Sequence, residues 1–256
     1  EGRTLQSRID QDGPLELREV LRIGEQTARG LAAAHEQGII HRDIKPSNIL
    51  LENGVERVRI TDFGLARAVD DASMTQSGVL AGTPAFMAPE QALGESLDHR
   101  ADLFSLGSLL YAMCTGRQPF RSSTIMGVIR RVCDDEPRPI REINPDVPDW
   151  LCSIVERLLA KKREDRFQTA EEVATLLAEC LAHVQQPLSV PLPKLLKKSE
   201  TPGLPVNTER DSTADDDTPE PALTATDSAQ SVDRPSRHAA DIDASAVESA
   251  RERMRQ

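Results

Sequence analysis

The chain has 256 residues, 38% apolar, 29% charged and only 3% aromatic, which is enough apolar material for one substantial core but not for an evenly packed chain. Its net charge of -11 weighs against a general nucleic-acid binder, which needs a basic face to displace counterions from phosphates. Cys114, Cys133, Cys152 and Cys180 stand far apart with no Cys-x-x-Cys pair, which fits reduced thiols in the cytoplasm better than a disulfide framework or zinc site, and no apolar run is long enough to span a membrane.

In chain order, a short helical pattern after Thr4 runs to Gly13-Pro14, a break suited to the start of the next helix. From Leu15 to about Gln37, Leu17, Val20, Leu21, Gly24, Thr27, Ala28, Leu31 and Ala32 recur at helical spacing. They predict a long helix with one buried face, ended by Gly38. Ile39-Ile40 reads as a short extended piece, and the loop His41-Arg42-Asp43-Ile44-Lys45-Pro46-Ser47-Asn48 follows. Two strands are predicted next, Ile49 to Leu51 and Val55 to Ile60, joined by Asn53-Gly54, a strong hairpin signal. The hairpin sets Asn48 and Asp62 at neighbouring strand ends, where two oxygen ligands can converge on one cation.

Beyond Asp62-Phe63-Gly64 lies a polar stretch without apolar period, read as a mobile loop, and then Gly82-Thr83-Pro84-Ala85-Phe86-Met87-Ala88-Pro89-Glu90. A helix over about Arg100 to Cys114 is apolar nearly all round and belongs at the centre of a domain. Further helical patterns cover about Ser122 to Asp134, Pro148 to Leu159 and Thr169 to His183. Every aromatic residue lies between Phe63 and Phe167, and eight of the seventeen prolines come after Gln186. The expected organisation is therefore one ordered domain over residues 1–184 and a disordered Pro-, Ser-, Thr- and Asp-rich tail over 185–256, in which Ala239 to Arg255 is at most a marginal helix.

The chemistry sits in the loop and hairpin. A base at Asp43, a cation at Lys45 and oxygen ligands at Asn48 and Asp62 are what phosphoryl transfer asks of a protein, because its loose transition state needs positioning and charge neutralisation more than covalent help. With His41-Arg42-Asp43, Asp62-Phe63-Gly64 and Ala88-Pro89-Glu90 in that order, the chain resembles the C-terminal lobe of a bacterial eukaryotic-like (Hanks-type) serine/threonine protein kinase over roughly residues 1 to 184. The fold so implied is mainly α, a helical bundle with short β-hairpins.

The resemblance implies that Asp43 accepts the proton of the attacking hydroxyl, that Lys45 neutralises the transferring phosphoryl group, and that Asn48 and Asp62 hold magnesium or manganese on ATP. It further implies that Leu50 packs beneath the adenine, that His41 and Phe63 belong to a stacked column anchored on Asp102, and that Glu90 pairs with Arg166. Thr75 and Ser77 fall where activation-loop phosphorylation occurs, with Arg42 as the partner of the phosphate, and Thr83 falls in the segment that favours serine or threonine substrates. The implied partners are proteins bearing Ser or Thr, and another copy of the chain for autophosphorylation. Nucleic acid is not among them. The implied location is the cytoplasm, with a membrane tether beyond the tail in a parent protein.

The resemblance stops at the hinge. No Gly-x-Gly pair and no lysine before Lys45 supply the smaller lobe that clamps the phosphates, so the chain reads as truncated and is expected to be inactive alone. The alternatives are a non-catalytic pseudokinase-like scaffold, which has no need of all four polar residues, and a small-molecule phosphotransferase, for which Ala88-Pro89-Glu90 is surplus. His35, His99, His183 and His238 receive no partner and no role.

Overall fold

The computed structural model describes residues 2–52, 57–62 and 84–193. Phe63, Thr75, Ser77, Thr83, the Asn53-Gly54 turn, the 64–82 stretch and most of the predicted tail, with its 239–255 helix, lie outside the described residues. The architecture is a helical assembly with one small antiparallel sheet.

The first strand, β1 (Arg3–Thr4), is a two-residue piece that leads into helix α1 (Leu5–Asp12). Thr4 caps α1, its hydroxyl accepting from the Ser7 amide at 3.1 Å. Gly13, with φ 77, ends the helix in a conformation that a β-carbon would oppose. Helix α2 (Leu17–Glu36) opens with a capping box formed by Glu16 and Glu19. It buries Val20, Leu21, Ile23, Gly24, Thr27, Ala28 and Leu31 along one face, as the spacing predicts.

The hairpin consists of β2 (Ile49–Glu52) and β3 (Arg57–Ile60), paired Ile49 with Ile60 and Leu51 with Val58. Of the predicted second strand, Arg57 to Ile60 is strand, and Val55 and Glu56 lie outside the described residues. The strand β1 had no sequence signal: it pairs Arg3 with Leu51 and makes the sheet three-stranded, in the order β1-β2-β3. Ile39-Ile40 joins no strand.

The centre of the core is α4 (Arg100–Thr115), in which every residue but Arg100 is buried. Such a helix has neighbours on all sides. On one side Gly24 of α2 approaches so closely that an added Cβ would lie 2.7 Å from Leu110 Cδ2, and on another Gly107 faces α6 (Asp149–Leu158). Between them in sequence are the one-turn α3 (Pro89–Ala92) and α5 (Ile125–Asp134), the latter starting three residues later than predicted because Thr124 caps it, accepting from the Gly127 amide at 3.1 Å. The last helix, α7 (Ala170–Gln185), is capped by Thr169 and packs along α2. Three of the four cysteines are buried, and burial pushes the Cys114 and Cys180 thiols up to about 12, as expected of small core hydrophobes.

Candidate active site

The loop between α2 and β2 is built onto a buried carboxylate. Asp102, in the first turn of α4, has no exposed surface. It accepts from the His41 amide and the Arg42 amide, each at 2.8 Å, and from His35 Nε2, also at 2.8 Å. Three donors and a helix N-terminus compensate a charge that burial would otherwise make costly. The kinase resemblance implied Asp102 as an anchor, whereas His35 was left without a partner. That residue stands in the last turn of α2, and only the packing of α2 on α4 brings it to the carboxylate.

His41 is itself buried and ties the loop to the hairpin. Its Nδ1 accepts from the Asp43 amide at 3.2 Å and its Nε2 donates to the Thr61 carbonyl at 2.9 Å, so both contacts select one ring tautomer. Arg42, between these anchors, has φ 67, a left-handed conformation that non-glycine residues adopt only where their surroundings enforce it.

Asp43, Lys45 and Asn48 meet directly. Lys45 Nζ lies 2.7 Å from Asp43 Oδ2, and Asn48 Nδ2 donates to the same oxygen at 3.0 Å and to the Asp43 carbonyl at 2.9 Å. Because both contacts of Asn48 Nδ2 are acceptors, the amide orientation is fixed, and Oδ1 is left to accept from Ser47 Oγ at 3.5 Å, its one hydrogen-bond donor among the described residues. A short 3-10 turn, Pro46–Asn48, sets this register, with the proline at its start where no amide hydrogen is needed.

Asp62 reaches the same end of the sheet by a different route. The Thr61 amide donates to the Asn48 carbonyl at 2.9 Å and Thr61 Oγ1 to the same oxygen at 3.2 Å, so residue 62 follows immediately beside Asn48. Its carboxylate is exposed, φ is 62, and it makes no hydrogen bond or ion pair to Asp43, Lys45 or Asn48. One amide oxygen and one carboxylate are hard donors that suit magnesium or manganese with phosphate oxygens completing the shell. Among the described residues no group of three or more His, Cys, Asp or Glu is arranged to hold a metal without such help. Leu50 is half-buried between the buried Ile49 and Leu51, and so projects from the opposite face of β2.

A second set of contacts fixes what lies beneath. Arg166 is fully buried and grips Glu90 with two bonds, Nη1 to Oε1 at 2.7 Å and Nη2 to Oε2 at 2.9 Å, while also donating to the Ala160, Lys161 and Arg100 carbonyls. Beside it, Arg100 holds Asp98 bidentately and Arg163 reaches Asp98, Glu95 and the Ser96 carbonyl. The Arg100 guanidinium keeps the Asp98 carboxyl well below the usual carboxylate range, against the opposing effect of burial. The sequence reading missed this second cluster, because Asp98 and Arg163 meet only after the chain has folded back. Phe63, Thr75, Ser77 and Thr83 lie outside the described residues.

Residues 1–178 match the protein kinase domain family. The chain is 36% identical over 192 residues to a serine/threonine-protein kinase PknB of Mycobacterium leprae, covering 75% of this chain and 30% of that one. It is 37% identical over 186 residues to PknA of Mycobacterium tuberculosis, with coverage of 73% and 42%. Against a probable PknB of Bifidobacterium longum the identity is 41% over 177 residues, with coverage of 68% and 25%. The chain thus spans between a quarter and about two fifths of the length of these relatives.

Proposed function

This chain belongs to the protein kinase domain family, and from that premise we propose that it carries the catalytic loop and metal ligands of a serine/threonine kinase moving the ATP γ-phosphoryl group to protein hydroxyls. The observation that carries the reading is the shared oxygen of Asp43. Lys45 and Asn48 both bond Oδ2, and no bond from the described residues reaches Oδ1. Oδ1 is therefore the acceptor for the proton of an incoming serine or threonine hydroxyl, while the bonds to Oδ2 keep the carboxylate from turning.

Lys45, held 2.7 Å from the base, is within reach of the phosphoryl group that the hydroxyl attacks and offsets its charge. Asn48 Oδ1 and Asp62 would hold the divalent ion, magnesium or manganese, whose charge offsets that of the ATP phosphates. Leu50 would lie under the adenine. His41 and Phe63 would link the loop to the neighbouring lobe, with Asp102 as the anchor. Thr83 would face the substrate hydroxyl residue, and phosphates on Thr75 or Ser77 would pair with Arg42. The family match supports protein substrates as partners, and a second copy of the chain would be the partner in autophosphorylation. Among the described residues no helix is long and apolar enough to cross a membrane.

The test is labelled phosphate transfer from ATP to a serine-rich protein by the full-length protein that carries this chain. Asp43→Asn, which keeps the shape and removes the base, is expected to lower the rate about 10²–10⁴-fold. Undiminished transfer by that variant would rule out Asp43 as the base.

A further inference from the structure

We infer that Gln91 is a positioning residue for this transfer, one that holds the peptide unit directly ahead of the base; the inference rests on the role proposed for Asp43. Among the described residues only Arg42 and Asp62 have a positive φ without being glycine. The two peptide units that flank Arg42 are both fixed from outside the loop or by His41. The unit before it is held by Asp102 Oδ1, which accepts the Arg42 amide at 2.8 Å. In the unit after it, the Asp43 amide donates to His41 Nδ1 at 3.2 Å, and the Arg42 carbonyl accepts from Gln91 Nε2 at 2.8 Å. That second unit sets the direction in which the Asp43 side chain leaves the backbone. Rotating it swings the carboxylate away from Lys45 and Asn48.

The position of Gln91 in the fold suits this task. It follows Glu90, whose carboxylate is locked on the buried Arg166, so its own backbone starts from one of the most firmly held points of the structure. Its amide hydrogen-bonds the Ala88 carbonyl at 3.0 Å. The Oε1 atom is buried and has no partner among the described residues, so the nitrogen is the working end of the side chain, and an amide turned the other way would set oxygen against the Arg42 carbonyl. The contact joins residues 49 positions apart, linking the Ala88-Pro89-Glu90 segment to the base loop.

Three versions of the full-length protein test this: wild type, Gln91→Met, which keeps the length without the donor, and Gln91→Glu, which sets a carboxylate against the carbonyl. The expected kcat falls about 10–100-fold for Gln91→Met and further for Gln91→Glu at neutral pH, with KM for ATP unchanged in both. As the pH falls and the introduced carboxyl takes a proton it becomes a donor, so Gln91→Glu regains rate relative to Gln91→Met. Residue-resolved hydrogen exchange gives a readout independent of turnover: the Asp43 amide exchanges faster in both variants, while the Leu109 amide in α4 does not change, showing an intact fold. Equal rates in the three proteins, the two variants behaving alike at every pH, or unchanged Asp43 exchange would each overturn the inference. A wild-type protein that transfers no phosphate sinks the reading of Asp43 instead, and the exchange at Asp43 then decides alone whether Gln91 holds the peptide.

Discussion

Glu90 and Arg166 form a pair whose charges have almost no access to water, with side-chain exposures of 4% and 0%. Desolvation makes such a pair a modest net source of stability while intact and a large liability when halved, because the surviving charge stays buried. Glu90→Ala is expected to lower the unfolding free energy by about 3–5 kcal/mol, read as a fall in the urea midpoint with the slope unchanged. A loss under 1 kcal/mol would mean that Arg166 finds water or another partner. The pair was legible in the sequence as two motif residues 76 positions apart. His35 and Gln91 were not, because a histidine or glutamine on a helix carries no mark of its partner until another helix is laid against it.

At the scale of elements, α4 reads from its letters as a buried helix, and it is one. The spacing between helices does not read so easily. A Cβ added at Gly107 would lie 2.7 Å from Leu158 Cβ and 3.2 Å from two Leu159 side-chain atoms. The contact that must give is a β-carbon close to the backbone of α6, not the tip of a flexible side chain. Gly107→Ala gains about 1 kcal/mol of helix propensity but overpacks a dense core at a cost of about 1–3 kcal/mol. The expected net effect is destabilisation, visible in a thermal or urea melt, and a more stable variant would show that α6 moves freely. The sheet teaches a similar lesson: Asn53-Gly54 announced the hairpin, whereas β1, two residues long, is too short to show any alternation and exists only because β2 offers it an edge.

For the whole molecule, the cluster of Arg100, Arg163, Glu95 and Asp98 ties the segment after α3 to the turn before Arg166. Asp98 is held well below its unfolded value, so it contributes stability above about pH 4, the unfolded carboxylate range, and this contribution is lost as the pH falls toward the folded value. Urea midpoints measured down through that window are expected to drop for the wild type and to drop less for Asp98→Asn, which has no such proton to bind. Parallel acid limbs for the two proteins would show that the arginines gain nothing from the charge.

The sequence by itself determined the helix faces, the buried α4 and the hairpin, and it marked Asp43, Lys45, Asn48 and Asp62 as candidates, because periodicity, turn chemistry and a short ordered motif are local properties of the chain. Only the tertiary structure decided that Asp102 gathers His35, His41 and Arg42, that Lys45 and Asn48 share one oxygen of Asp43, and that Gln91 reaches back to the Arg42 carbonyl. Those are matters of distance between residues far apart in sequence. They are settled where buried polar groups must find partners once water has been removed.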